Sequence, residues 1–98
     1  MAKRIIWTVK AKSELFEIYE YWNYRNDSSM YSIKLNKLID KTLDKLLYLP
    51  EIGRTTEIEN VRVKLINKYL LYYEIINDDL YVLSIRHEKR NPETLNLK

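Results

Sequence analysis

The hydrophobic period of this chain changes once, near its middle, and that change limits the folds open to it. Before Pro50, apolar residues recur every three or four positions: Ala11, Leu15, Ile18, Tyr19 and Trp22, then Leu35, Leu38, Ile39, Leu43, Leu46 and Leu47. This is the 3.6-residue repeat that lines one face of a helix. After Asn60 the period falls to two, with Val61, Val63 and Leu65 alternating with Arg62 and Lys64, as in a half-buried strand. Glu51 to Asn60, between the halves, holds the only glycine (Gly53), two threonines and three glutamates, and reads as a connecting loop. A helical half followed by a stranded half excludes a pure bundle and a pure sandwich, and leaves an α+β layout.

Local signals place the elements. Arg4 to Thr8 carries clustered β-branched and aromatic residues and reads as a first strand, with Thr8 as N-cap of a helix from about Val9 to Arg25. Asn26-Asp27-Ser28-Ser29 is a turn and capping cluster, and a second helix runs from there to Pro50. Asn67-Lys68 fits a two-residue hairpin turn leading into a strand from Tyr69 to Ile76. Asn77-Asp78-Asp79 turns again into a last strand from Leu80 to Arg86 or His87. The chain is thus expected to be one domain over residues 1–98 with the order β-α-α-β-β-β, a helical hairpin packed on one face of a small antiparallel sheet.

The turns also predict register. Lys64 should face Leu71 and Arg62 should face Tyr73. With a second two-residue turn, Arg62, Lys64, Tyr73, Ser84 and Arg86 would share the open face, while Val61, Val63, Leu65, Leu70, Tyr72, Leu83 and Ile85 meet the helices. A three-residue turn would instead bring His87 beside Arg62.

Composition removes several chemistries. The 98 residues contain no cysteine, one histidine (His87) and one glycine. Disulfides, a thiol nucleophile, thiolate or His-rich metal sites and glycine-rich phosphate loops are therefore excluded, and neither a metal nor a cofactor is expected. No apolar run approaches the ~20 residues of a membrane span, and Met-Ala-Lys-Arg is followed by no signal-like apolar stretch. A cytoplasmic protein with no membrane partner is expected. The net charge of +3 leans toward an anionic partner. On the second helix, Lys34, Lys37, Lys41 and Lys45 with Asp40 and Asp44 form an ordinary solvated face. The nine tyrosines fall mostly at core and rim positions, although Tyr19, Tyr69, Tyr72 and Tyr73 have the chemistry to stack bases.

Several patches, in order, resemble the RelE/ParE superfamily of toxins from bacterial type II toxin-antitoxin systems. They are Trp7-Thr8-x-x-Ala11-x-x-x-Leu15-x-x-Ile18, Leu46-x-x-x-Pro50-x-x-Gly53-Arg54, Val61-Arg62, Tyr73-x-Ile75, and Val82 to His87 followed by Asn91-Pro92. The resemblance spans nearly the whole chain. It implies the same β-α-α-β-β-β fold and a cognate antitoxin that wraps the toxin with an extended or helical segment, with DNA met only indirectly through that antitoxin.

Within the superfamily, the long helical hairpin and the tail from His87 to Pro92 look closer to the ParE-like (plasmid stabilisation) members, which poison DNA gyrase. Their common Asp-x-Arg-x-x-Pro pattern has His87 and Lys89 in place of Asp and Arg here. The target-binding residues so implied are Arg54, Arg62, Lys64, Arg86, Lys89 and Arg90. The alternative is a RelE-like, ribosome-dependent mRNA endoribonuclease. In that reading Arg62, Lys64 and Arg86 would stabilise the phosphorane and His87 would serve as base. Leu70 stands where some of those nucleases carry an arginine, and no tyrosine follows Tyr81. A second alternative is an inactive toxin fold retained as a binding module.

Overall fold

The computed structural model describes residues 2–90 and 97. Strand β1 (Ile5–Trp7) leads into helices α1 (Val9–Asn26) and α2 (Met30–Tyr48). A 3-10 turn over Pro50–Ile52 follows, then β2 (Arg54–Thr55), β3 (Val61–Ile66), β4 (Tyr69–Ile76) and β5 (Asp79–His87). The strands form one sheet in the order β1-β5-β4-β3-β2. Its pairs are antiparallel except β1 with β5, which run parallel. The two-helix hairpin on a sheet is the expected α+β arrangement. The parallel edge and the two-residue β2 inside the expected loop are additions to it.

Thr8 caps α1 by accepting a hydrogen bond from Ala11 N at 3.1 Å, and its hydroxyl donates to the Val82 carbonyl at 3.0 Å. One side chain thus ends β1, starts α1 and ties both to β5. The next residue on the inner stripe, Ala11, is fully buried, which allows α1 to lie close against β5. Asp27 ends α1 in the left-handed region (φ 48°), its N–H turned back to the last-turn carbonyls. Ser32 of α2 donates to Asn23 Oδ1 of α1 at 2.6 Å and pins the two helices near their connection. Leu35, Ile39, Leu43 and Leu46 of α2 then form the centre of the core with Leu71, Tyr73, Leu80, Val82 and Ile85 of the sheet.

Register in the first hairpin is as the turn predicts, with Arg62 opposite Tyr73 and Lys64 opposite Leu71. The second turn is also two residues long. Asn77 and Asp78 both have positive φ (50° and 69°), the pattern that matches the twist of a tight hairpin. For β3 and β4 the assignment of faces is nevertheless reversed, whereas Ile85 of β5 lies in the helix-facing core as expected. The helices cover the side bearing Tyr69, Leu71 and Tyr73, and Tyr73 is 1% exposed. Leu65, Leu70 and Tyr72 lie on the other side by register, and Leu65 is 49% exposed.

Alternation on β5 also breaks. The pairing slips between Tyr72 and Tyr73, leaving Leu83 as the extra residue of a β-bulge. Consequently both Ser84 and Ile85 address α1: the Ser84 hydroxyl donates to Glu14 Oε1 at 2.8 Å and the Ile85 N–H to the same oxygen at 3.3 Å. Ser84 is fully buried and Arg86 only 4% exposed. The expected open face of Arg62, Lys64, Tyr73, Ser84 and Arg86 therefore does not exist.

Candidate functional site

The residues expected to meet a target fall into two groups, one on either side of β4. The first is at the β2–β3 edge. Arg54 is exposed and Lys64 half-buried. The Arg62 guanidinium donates to the carbonyls of Gly53 at 2.8 Å and Glu51 at 3.1 Å. It thereby holds the loop after α2 against the sheet. Arg62 also borders a cleft of about 580 Å³ whose other walls include Glu51, Glu59, Glu74 and Asp78. Four carboxylates around one guanidinium disfavour a polyanionic ligand there.

Tyr73 closes the floor of that cleft. Its hydroxyl donates to the Pro50 carbonyl and accepts from Gly53 N at 3.1 Å. Burial pushes the Tyr73 phenol up, partly offset by that Gly53 hydrogen bond.

The second group gathers where β5 ends beside α1. A cleft of about 460 Å³ there is bordered by Arg86, His87 and Arg90, by Lys68 and Tyr69 of the first hairpin, and by the second half of α1. Arg86 pairs with Leu70, three residues along β4 from the partner of Arg62 and one strand further across. Arg62 and Arg86 are thus about 10 Å apart along the strands and about 10 Å across them, and Lys64, opposite Leu71, is as far across. Burial lowers the Arg86 guanidinium from its ordinary value, and neighbouring Arg90 lowers it further, while Glu14 acts in the opposite direction. His87 is half-buried, its ring edge-on to Tyr69 at 5.6 Å, and its Nδ1 accepts from Lys89 N at 3.1 Å. Lys89 and Arg90 are exposed. Asn91 and Pro92, part of the tail motif, lie outside the described residues.

The structure therefore brings Arg86, His87 and Arg90 together and separates them from Arg62 and Lys64. The in-line chemistry sketched for an RNA nuclease needs His87 and the cations of β3 around one phosphate, and that constellation does not assemble. Among the described residues, no group of three histidine or carboxylate side chains is arranged to hold a metal ion.

Sequence reasoning missed Glu14, whose carboxylate joins α1 to the bulge, and Tyr21, Trp22, Arg25 and Lys68, which complete the second cleft. A signal for Glu14 was present. It lies three residues after Ala11 and four before Ile18, on the stripe that packs inward, where a carboxylate requires a specific partner.

A two-helix hairpin on a five-stranded sheet, with a basic cleft at the end of the last strand, defines a small α+β fold. A solved structure described as a "Chromosomal ParDE TA system from P. aeruginosa" shares it, with a TM-score of 0.73 over 89% of this chain and 96% of that one, at 20% identity. No curated protein matches the sequence. The family model for the ParE toxin of the type II toxin-antitoxin system, parDE, matches residues 5–92, and the chain belongs to that family. No helix among the described residues is long and apolar enough to cross a membrane.

Proposed function

We propose that this protein is the toxin of a two-component module, that it inhibits DNA gyrase in the cytoplasm, and that a cognate antitoxin neutralises it. The observation that carries this reading is the family match over residues 5–92, which spans every element of the fold. The cations of the β5 end, Arg86, Lys89 and Arg90, are assigned to target contact. Arg86 and Arg90 border one cleft where the tail motif begins, with Lys89 exposed beside them, whereas Arg62 borders a cleft walled by carboxylates. The face of the sheet turned away from the helices supplies Leu65, Leu70 and Tyr72, a surface suited to an antitoxin segment that buries apolar side chains.

The test is a gyrase reaction on supercoiled plasmid with the purified protein. Linear DNA that accumulates only when gyrase and toxin are both present, and that disappears on adding antitoxin, is the expected result. Unchanged supercoiling at toxin excess, with rapid cutting of translated messages instead, would overturn the assignment.

A further inference from the structure

We infer that the cleft between α1 and the end of β5 is a binding site for a nucleoside phosphate, either free or as the terminal unit of a strand. This goes beyond gyrase inhibition and does not depend on it. Three features of one cavity carry the inference: its size, its aromatic wall, and the placement of cations and carboxylates of opposite requirement.

The volume of about 460 Å³ lies in the ~300–1,000 Å³ range of small-molecule sites. Part of the wall is aromatic. Tyr21 and Trp22 of α1 stand edge to face with ring centroids 5.1 Å apart. The Trp22 indole N–H donates to Tyr69 Oη at 2.6 Å, so this wall is braced from the sheet side. Tyr21 is 55% exposed and offers a ring to a planar ligand, and Arg25 Nη1 donates to its hydroxyl at 3.4 Å. A base presented to such a wall stacks whatever its identity.

Charge then divides the cleft. Arg86, Arg90, Lys68 and Arg25 border it, opposed by Glu14 and Glu17, a formal excess of two positive charges. Guanidinium groups suit a phosphate because their N–H donors form a planar fork. The carboxylates do not suit an anion, and the structure gives them separate tasks. Glu14 is engaged by Ser84 and Ile85 and belongs to the scaffold. Glu17 is exposed on the same wall, one helical turn from Tyr21. A carboxylate beside a stacking ring accepts hydrogen bonds from an exocyclic amino group, as carried by adenine, cytosine and guanine and lacked by uracil. A purely anionic ligand such as inorganic phosphate leaves both the ring wall and Glu17 unused.

The test uses intrinsic fluorescence of the full chain. Trp7 and Trp22 are its two tryptophans, and Trp7→Phe leaves Trp22, in the cleft wall, as the reporter. AMP, GMP, CMP, UMP and inorganic phosphate are titrated separately, followed by short single-stranded oligonucleotides with and without a terminal phosphate. Saturable quenching by the amino-bearing nucleotides, with weaker binding of UMP and of phosphate, is expected.

Tyr21→Ala should weaken binding on the order of tenfold through lost stacking. Lys68→Ala combined with Arg90→Ala should weaken it at least as much and flatten its salt dependence. Glu17→Gln should reduce the preference over UMP. Tighter binding of the phosphorylated oligonucleotides than of mononucleotides identifies a strand terminus as the source, and the reverse identifies the free nucleotide.

No quenching by any nucleotide in a protein with an unchanged circular dichroism spectrum would overturn the proposal, as would binding of phosphate alone as tightly as of nucleotides. Because gyrase is absent from the titration, a negative result here leaves the gyrase reading standing, and a failed gyrase reaction leaves this one standing.

Discussion

Replacing the single glycine should destabilise the fold through space rather than backbone. Gly53 has φ −71° and ψ 154°, a conformation alanine adopts readily. A Cβ built there, however, would lie 2.8 Å from Tyr73 Cε1 and 2.9 Å from Cζ, and closer still to the hydroxyl oxygen. Tyr73 is 1% exposed and tied by its hydroxyl to Pro50 and Gly53, so any retreat from the new methyl breaks those bonds. Overpacking of this kind costs ~1–3 kcal/mol. A displaced phenol also leaves the Pro50 carbonyl without its donor, at a further ~1–3 kcal/mol.

Gly53→Ala should therefore cost about 3 kcal/mol. At ~4–8 °C per kcal/mol for a domain of this size, that lowers the melting temperature by about 12 to 24 °C. Tyr73→Phe alone should cost about 1–2 kcal/mol through the lost hydrogen bonds. The two changes should not add, because the phenylalanine removes the worst clash while its ring carbons keep the rest. Urea denaturation of wild type, both single variants and the double variant measures the coupling, expected at about 1 kcal/mol in favour of the double. A Gly53→Ala protein within ~0.5 kcal/mol of wild type, or strict additivity, would refute the close-approach argument.

Other consequences are smaller or lie elsewhere. Thr8→Ala should cost about 0.5–2 kcal/mol by removing the α1 cap, with the amide of Ala11 losing protection first in hydrogen exchange. Glu14→Ala should cost about 1–3 kcal/mol, since it strips the acceptor from the Ser84 hydroxyl and the Ile85 amide inside the structure; Glu14→Gln, which keeps a carbonyl acceptor, should recover most of that in the same melts. Burial pushes the phenol of Tyr19 up to about 12, with Asp40 adding to the shift, and burial also raises Tyr69 and Tyr73. The folded state therefore holds these protons longer than the unfolded one, so stability is intact below pH 10 and falls as pH climbs through the raised values; urea midpoints that rise over that span would contradict the burial. Lys89→Ala with Arg90→Ala should abolish or strongly reduce toxin-dependent linearisation of plasmid by gyrase while leaving the melting temperature within about 2 °C, as expected for exposed side chains; full linearisation by the pair would remove them from the target surface.

The helices and turns were legible because their signals are local. Thr8, the 3.6-residue stripes, Asn67-Lys68 and Asn77-Asp78 each act within a few residues and require nothing from distant chain. The helix-facing side of the sheet was not legible because β4 is apolar on both faces. Leu70 and Tyr72 look as buriable as Tyr69, Leu71 and Tyr73, and only the helices decide between them. The bulge at Leu83 is likewise a product of tertiary contact, made where the α1 carboxylate of Glu14 takes both Ser84 and Ile85. Strand β2 is two residues long, below any periodic signal. Of the candidate site, the cations of the last strand were found by their type. Their company, Tyr21, Trp22 and Lys68, was hidden because it arrives from α1 and from a hairpin turn far away in sequence. Arg62 was over-read, since a cation on an alternating strand looks solvent-facing until two backbone carbonyls claim it.

The parallel pairing of β1 with β5 bears on when the molecule comes into being during synthesis. The Thr8 hydroxyl finds the Val82 carbonyl across 74 positions of sequence, whereas the β3-β4-β5 meander closes through two-residue turns. Contacts of such long separation carry the largest loop-closure cost and form late. A ribosome therefore releases β1 before its partner exists and keeps it waiting, unpaired, until β5 has emerged. The first of the five strands to be made is thus the last to be placed in the sheet, and a chain cut short before β5 has no partner to offer it. The complete fold, with both clefts and the open face of the sheet, exists only once β5 has been made.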